Sequence, residues 1–205
     1  VPKDNISLVY NPVDPSNQVI PRSKGSVKEF IYVGRLQSEG QKNVSELINI
    51  LGSVKQYKWH LTVIGTGTDM NLLKKQACDY QIDNQITWMG WQSNPWKCVK
   101  TADLLFLTSK FEGFPMILLE AMAQGIPCFS SNCPTGPEDI IQEGINGSLY
   151  DSGNIKQAHN LLVSFFEERL KYADSLKIQK VISGLYSKKY LQKLDGVMQK
   201  LSEED

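Results

Sequence analysis

The strongest constraint on this chain is a rhythm. Short, mostly apolar runs recur, each stopped by a glycine or a polar turn and followed by a stretch whose apolar residues fall at helical spacing. Phe30-Ile31-Tyr32-Val33 stops at Gly34, Trp59 to Ile64 at Gly65-Thr66-Gly67, and Ile86 to Met89 at Gly90. Leu104 to Leu107 is apolar throughout, and Pro127 to Phe129 and Gly147 to Tyr150 read as two more runs of this kind. Between them, Val44, Leu47, Ile48, Leu51 and Val54 share one helical face, as do Met70, Leu73 and Ala77. Further helices are expected at Pro95 to Lys100, Pro115 to about Gln124 and Glu138 to Gln142, with a helical pattern from Ile155 to the end, broken near Gly184. Strands apolar on both faces that alternate with helices predict a parallel sheet covered on both sides. The expected fold is α/β: a doubly wound, mostly parallel, Rossmann-like sheet of about six strands.

The 205 residues suit one such domain. Residues 1–27, rich in Pro, Asn, Asp and Ser, read as an incoming segment and linker, in which Ile6 to Tyr10 is a short strand. The domain itself is placed at 28–184, and 185–205 is a C-terminal helix. Hydrophobic residues make up 41% and charged residues 21%, a globular and not a disordered composition. Lys plus Arg and Asp plus Glu each number 22, so no net field favours nucleic acid as a partner. No apolar run approaches the ~20 residues that span a bilayer, and the start does not resemble a signal peptide. Cys78, Cys98, Cys128 and Cys133 form no C-x-x-C pair. Buried free thiols are the default for them, with a zinc site or a disulfide as alternatives.

In open parallel sheets ligands bind outside the carboxyl ends of the strands, which selects the loops after each apolar run. The most informative is Glu112-Gly113-Phe114-Pro115-Met116-Ile117-Leu118-Leu119-Glu120. Pro115 suits a first helical turn, where a missing N–H costs nothing. The amides of Met116 and Ile117 are then free donors at a helix start, which with the helix dipole forms a site for a phosphate or diphosphate. Gly113 allows a ligand close to the backbone. Glu120, embedded among apolar neighbours, shares a helix face with Met116 and Ile117. A carboxylate there cannot hold phosphate, but it can accept two hydrogen bonds from a vicinal diol such as that of ribose. Glu112 stands at the helix mouth, where a sugar attached to the diphosphate would sit.

Gly34-Arg35-Leu36 and Lys42-Asn43 follow the first strand, and two cations at that edge can neutralise a diphosphate without a metal. Gly65-Thr66-Gly67 lacks the third glycine of a dinucleotide fingerprint, since Met70 holds that place, and no G-K-[ST] follows. It reads as a tight turn lining the nucleotide site. Trp91 either walls a base pocket or belongs to the core. Thr135 to Glu138 reads as a turn that caps the next helix. His60 and His159 have no sequence neighbours that make a triad and are assigned structural roles.

Taken in order, Val33-Gly34-Arg35-Leu36, Lys42-Asn43, Ile64-Gly65-Thr66-Gly67, Ser109 to Pro115, Leu119-Glu120-Ala121-Met122-Ala123 and Gly125-Ile126-Pro127 resemble the successive motifs of the family 4 retaining glycosyltransferases. Glu112 and Glu120 match that family's E-x7-E signature, and Asn11-Pro12-Val13-Asp14 resembles the passage between its two domains. The resemblance implies one half of a GT-B fold. It further implies Arg35 and Lys42 on the donor diphosphate and Glu120 on the ribose hydroxyls. Glu112, Gly113, Phe114 and the amides of Met116 and Ile117 then meet the sugar and its phosphate. Gly34, Gly65 and Trp91 line the same site, and Arg35, Lys42 and Glu112 are the catalytic set. A UDP-sugar enters as substrate, and neither cofactor nor metal is expected. Within the family, Cys133-Pro134-Thr135-Gly136-Pro137-Glu138-Asp139 is similar to galactosyltransferases of the bacterial lipopolysaccharide core, which implies UDP-galactose as donor, a core glucosyl residue as acceptor, and a parent peripheral on the cytoplasmic face of the inner membrane. The amino-terminal acceptor domain of a GT-B enzyme is missing, so the piece is expected to bind donor and transfer nothing. A non-catalytic nucleotide-sugar-binding module and a UDP-sugar epimerase share the architecture and are the alternatives.

Overall fold

A computed structural model describes residues 9–203. Its six strands are β1 (Lys28–Val33), β2 (Trp59–Ile64), β3 (Ile86–Gly90), β4 (Leu104–Leu107), β5 (Cys128–Ser131) and β6 (Gly147–Tyr150). They form one sheet in the order β3-β2-β1-β4-β5-β6, and every neighbouring pair is parallel. The helices are α1 (Val44–Ser53), α2 (Met70–Asp79), α3 (Met116–Ala123), α4 (Pro137–Ile140), α5 (Ile155–Phe166), α6 (Ser175–Val181) and α7 (Ser187–Glu203). The short helix expected at Pro95 to Lys100 is a 3-10 helix, Pro95–Cys98, in which the Asn94 side chain accepts the Lys97 amide.

Side chains alternate across the strands and so feed two cores. Phe30 and Tyr32 of β1 and Phe106 of β4 join α1, α2 and α5 on one face. Ile31, Leu105 and Leu107 join α3 and α6 on the other. Helix α3 is apolar nearly all round because it lies deep in the second core, with Leu118, Leu119, Ala121 and Met122 buried. The helical pattern after Ile155 is interrupted twice, not once. Besides the break near Gly184, residues 167–174 leave the helix: Glu168 takes a left-handed φ of 57°, Tyr172 turns inward to donate its hydroxyl to Ser148 Oγ at 3.0 Å, and Asp174 caps α6 through the Lys177 amide at 2.9 Å.

The incoming segment is fastened to the domain. Val13 bridges Tyr186, Ile20 is buried in the second core, the Ile20 amide donates to Gln124 O at 2.9 Å, and the Ala102 amide donates to Pro21 O at 3.0 Å. Of the strand expected at Ile6 to Tyr10, residues 6–8 lie outside the described residues, and Val9 and Tyr10 carry no strand.

The strand order fixes where a ligand goes. From β1 the chain winds outward through β2 to β3, then crosses to β4 on the other side of β1 and winds the opposite way. The carboxyl ends of β1 and β4 therefore part at a topological switch point, and the loops leaving them diverge around a crevice.

Candidate functional site

Three loops at the carboxyl edge are joined backbone to backbone. The Gly34 amide donates to Ile64 O, the Leu36 amide to Thr66 O, both at 3.0 Å, and the Gly65 amide to Gly90 O at 2.8 Å. This contact explains Gly65-Thr66-Gly67 without any fingerprint. A Cβ on Gly65 would meet Gly34 O at 1.9 Å, and one on Gly67 would meet Leu36 O at 2.0 Å. Gly65 also holds φ at +140°, which side-chain-bearing residues rarely adopt. The loop carrying Arg35 is held from beneath as well, where the buried Tyr32 hydroxyl donates to Arg35 O at 3.0 Å. The Arg35 residue is exposed, and its guanidinium has no hydrogen-bond or ion-pair partner among the described residues.

Across the switch point, Lys42 from the loop after β1 reaches Glu112 from the loop after β4. Its Nζ lies 2.7 Å from Glu112 Oε1. The same oxygen accepts a hydrogen bond from Ser109 Oγ at 2.6 Å. The Glu112 side chain is only 8% exposed, so this ion pair is poorly screened by solvent. Thr108 Oγ1 binds the carbonyls of Lys42 and Asn43, and the Lys110 amide donates to Gln41 O, which ties the two loops together.

Helix α3 begins at Met116 with Pro115 as N-cap and no side-chain cap. The Leu118 amide turns back to Pro115 O at 3.0 Å, whereas the amides of Met116 and Ile117 have no acceptor among the described residues. Gly113, just before, has nothing within 4 Å of where a Cβ would stand. The uncapped helix start therefore exists as the sequence implied. Glu120 lies one turn on, and with Met116, Asn94, Trp96 and residues of the incoming segment from Pro12 to Ser16 it lines a cavity of about 510 Å³. Burial pushes the Glu120 carboxyl above the ordinary range, and a hydrogen bond from Trp96 pulls it partly back.

A second cavity, about 430 Å³, is lined by Gly34, Arg35, Gly65, Trp91, Gln92 and Pro95 among others. The two cavities meet at the loop after β3, where Pro95 faces one and Asn94 and Trp96 the other. Trp91 is 70% exposed, so the core reading of it is overturned. Three expected site residues are already engaged. The Phe114 ring stacks on Tyr10 with centroids 4.8 Å apart, and Lys42 is paired with Glu112. Sequence reasoning missed Ser109, Ser131, Trp96 and the Pro12 to Ser16 wall. Trp96 and the Pro12 to Ser16 wall meet Glu120 only through folding, whereas Ser109 stands in the quoted motif three residues before Glu112 and was given no role of its own.

The histidines lie elsewhere. His60, near the start of β2, sits between Glu29 Oε2 at 3.1 Å and Thr87 Oγ1 at 2.8 Å, and His159 on α5 meets Ser53 Oγ at 3.1 Å. All four cysteines are free. Among the described residues no group of three or more His, Cys, Asp and Glu side chains is placed to hold a metal ion, and no helix is long and apolar enough to cross a membrane.

A parallel sheet in this order, with an E-x7-E pair about an uncapped helix start at its switch point, has the architecture of one half of a GT-B glycosyltransferase. The profile of the family described as "Glycosyl transferases group 1" matches residues 14–180, and the chain belongs to that family. It is 40% identical over 203 residues to the lipopolysaccharide 1,6-galactosyltransferase of Escherichia coli K12, an alignment that takes in 97% of this chain and 56% of that one. The solved apo form of the lipopolysaccharide outer core galactosyltransferase WaaB superposes with a TM-score of 0.92 at 38% identity, covering 98% of this chain and 57% of the other. At 23% identity and a TM-score of 0.81, TarM of Staphylococcus aureus, solved with UDP, shares the fold over 96% of this chain and 40% of its own. The chain thus spans about half the length of the curated relatives it matches.

Proposed function

We propose that this chain is the donor-binding half of a retaining hexosyltransferase that moves galactose from UDP-galactose to a lipopolysaccharide core acceptor. One observation carries the reading: an uncapped helix start at the switch point, with one carboxylate before it and another one turn inside it. The diphosphate is assigned to the amides of Met116 and Ile117, with Arg35 and Lys42 as counter-charges. Glu120 takes the ribose diol, the cavity walled by Trp91 takes the base, and Glu112 with the backbone at Gly113 and Phe114 faces the galactosyl group. In the transfer, the bond from the anomeric carbon to the phosphate oxygen breaks, and the acceptor hydroxyl attacks on the same face. UDP leaves with the bonding electrons, and the proton of the acceptor hydroxyl passes to the departing phosphate oxygen. Arg35, Lys42 and the α3 dipole stabilise the negative charge as it develops.

The likeness to a 1,6-galactosyltransferase at 40% identity supports galactose, and UDP in a structure of the same fold agrees with uridine. The acceptor side belongs to the part of the relatives that this chain does not span, and the whole enzyme is assigned to the cytoplasmic face of the bacterial inner membrane. Neither a non-catalytic module nor an epimerase is favoured by any residue at the site. Calorimetric titration with UDP, GDP and ADP tests the donor assignment, with UDP expected to bind tightest. Equal affinity for all three would reject it. Incubating the whole enzyme with UDP-galactose, with and without a core acceptor, separates transfer from epimerisation, since only an epimerase turns over donor by converting it when acceptor is withheld.

A further inference from the structure

We propose that Ser109 is a positioning residue that fixes the rotamer of Glu112, so that one carboxylate oxygen is locked to the protein and the other is presented to the donor sugar. The inference rests on the donor reading above and adds a residue that reading does not use. Ser109 follows β4 by two residues and is fully buried. Its Oγ lies 2.6 Å from Glu112 Oε1, and Lys42 Nζ lies 2.7 Å from the same oxygen. Both donors thus converge on Oε1. Oε2 has no hydrogen-bond partner among the described residues and is not among their buried unpartnered atoms, so it keeps some access to solvent.

The two tethers differ in kind. Lys42 carries its ammonium on a long flexible stem that is 24% exposed, and its charge is what a diphosphate attracts. Ser109 is built into the sheet: its carbonyl accepts Ser131 Oγ of β5 at 2.6 Å. Once a diphosphate draws on Lys42, Ser109 is the donor that still holds Glu112 in place. A carboxylate has about four lone-pair sites. Fixing one oxygen leaves the other as an oriented acceptor for a sugar hydroxyl, and an oriented acceptor discriminates where a mobile one does not.

The test compares dissociation constants of UDP and UDP-galactose for this chain and for Ser109→Ala, Ser109→Thr and Glu112→Gln. Ser109→Ala is expected to lower the preference for UDP-galactose over UDP by about tenfold, as loss of one hydrogen bond to a charged group implies. Ser109→Thr keeps the hydroxyl and restores the preference, and Glu112→Gln lowers it at least as far as Ser109→Ala does. A change in the preference with Glu112→Gln but none with Ser109→Ala would overturn the positioning role alone. Loss of preference in Ser109→Thr equal to that in Ser109→Ala would also overturn it, because the hydroxyl would then be irrelevant. If the unaltered chain binds no UDP, the donor reading fails, and this inference with it.

Discussion

Glu120 carries a conflict between stability and binding. Burial raises its carboxyl above the ordinary range, with the Trp96 hydrogen bond opposing. A carboxyl whose folded pKa exceeds its unfolded pKa binds its proton more tightly when folded. Stability is therefore lost as pH rises from the unfolded value through the folded one, and the loss persists at neutral pH. Glu120→Gln should melt at a higher temperature than the unaltered chain at pH 7, with the gap narrowing as pH falls into the carboxylate range, as calorimetric melting will show. The same substitution should weaken UDP, since an amide accepts with one oxygen where the carboxylate accepts with two. In the unaltered chain, UDP affinity should begin to fall on acidification at a higher pH than an exposed glutamate would give. The two cations also differ. Arg35 has no partner to give up among the described residues, whereas Lys42 must leave or share Glu112. Arg35→Ala is accordingly expected to cost about tenfold in UDP affinity and Lys42→Met less, read by titration calorimetry.

At the scale of elements, the loops after β1 and β2 are one unit because two glycines let their backbones touch. Gly65→Ala forces a Cβ against Gly34 O and into an unfavourable φ, so a loss of about 2–4 kcal/mol in denaturant unfolding is expected, together with weaker UDP binding as Arg35 is displaced. Strands and most helices were legible in the sequence because apolar periodicity is local: β2, β4 and β6 start and stop where the apolar runs do. The start of α3 was legible through Pro115 and the carboxylates around it. The break at residues 167–174 was not, because it depends on Tyr172 finding Ser148 on β6. Ser109 and Trp96 were equally hidden. A tryptophan in a short turn acquires meaning only when Glu120 arrives from a helix, and a serine beside a strand only when its own loop folds back to set Glu112, three residues on, against its hydroxyl. Gly65-Thr66-Gly67 looked like a damaged fingerprint, and proves to be a packing contact.

At the scale of the whole molecule, the chain spans about half the length of the relatives it matches, and the proposal puts the acceptor side in the half it does not span. Two outcomes belong to this scale. UDP at about 100 times its dissociation constant should stabilise the chain by about 2.7 kcal/mol, a rise of roughly 5–10 °C in Tm for a domain of this size. Supplied with UDP-galactose and a core acceptor, the chain alone should transfer no galactose, and transfer by it would contradict the division of labour assigned here. The second core depends on the incoming segment as well as on α3 and α6, through Val13 and Ile20. Val13 and Asp14 line the same cavity as Glu120, so anything that moves this segment also reshapes the cavity proposed to take the ribose.

The central claim is that the α3 start receives the diphosphate, and the backbone amide resonances of Met116 and Ile117 report on it directly. During a UDP titration followed by 15N-resolved NMR, both are predicted to shift progressively and to saturate with the dissociation constant that calorimetry gives, while the amides of α5, on the far face of the sheet, stay in place. Saturable UDP binding that leaves Met116 and Ile117 unmoved would contradict the account.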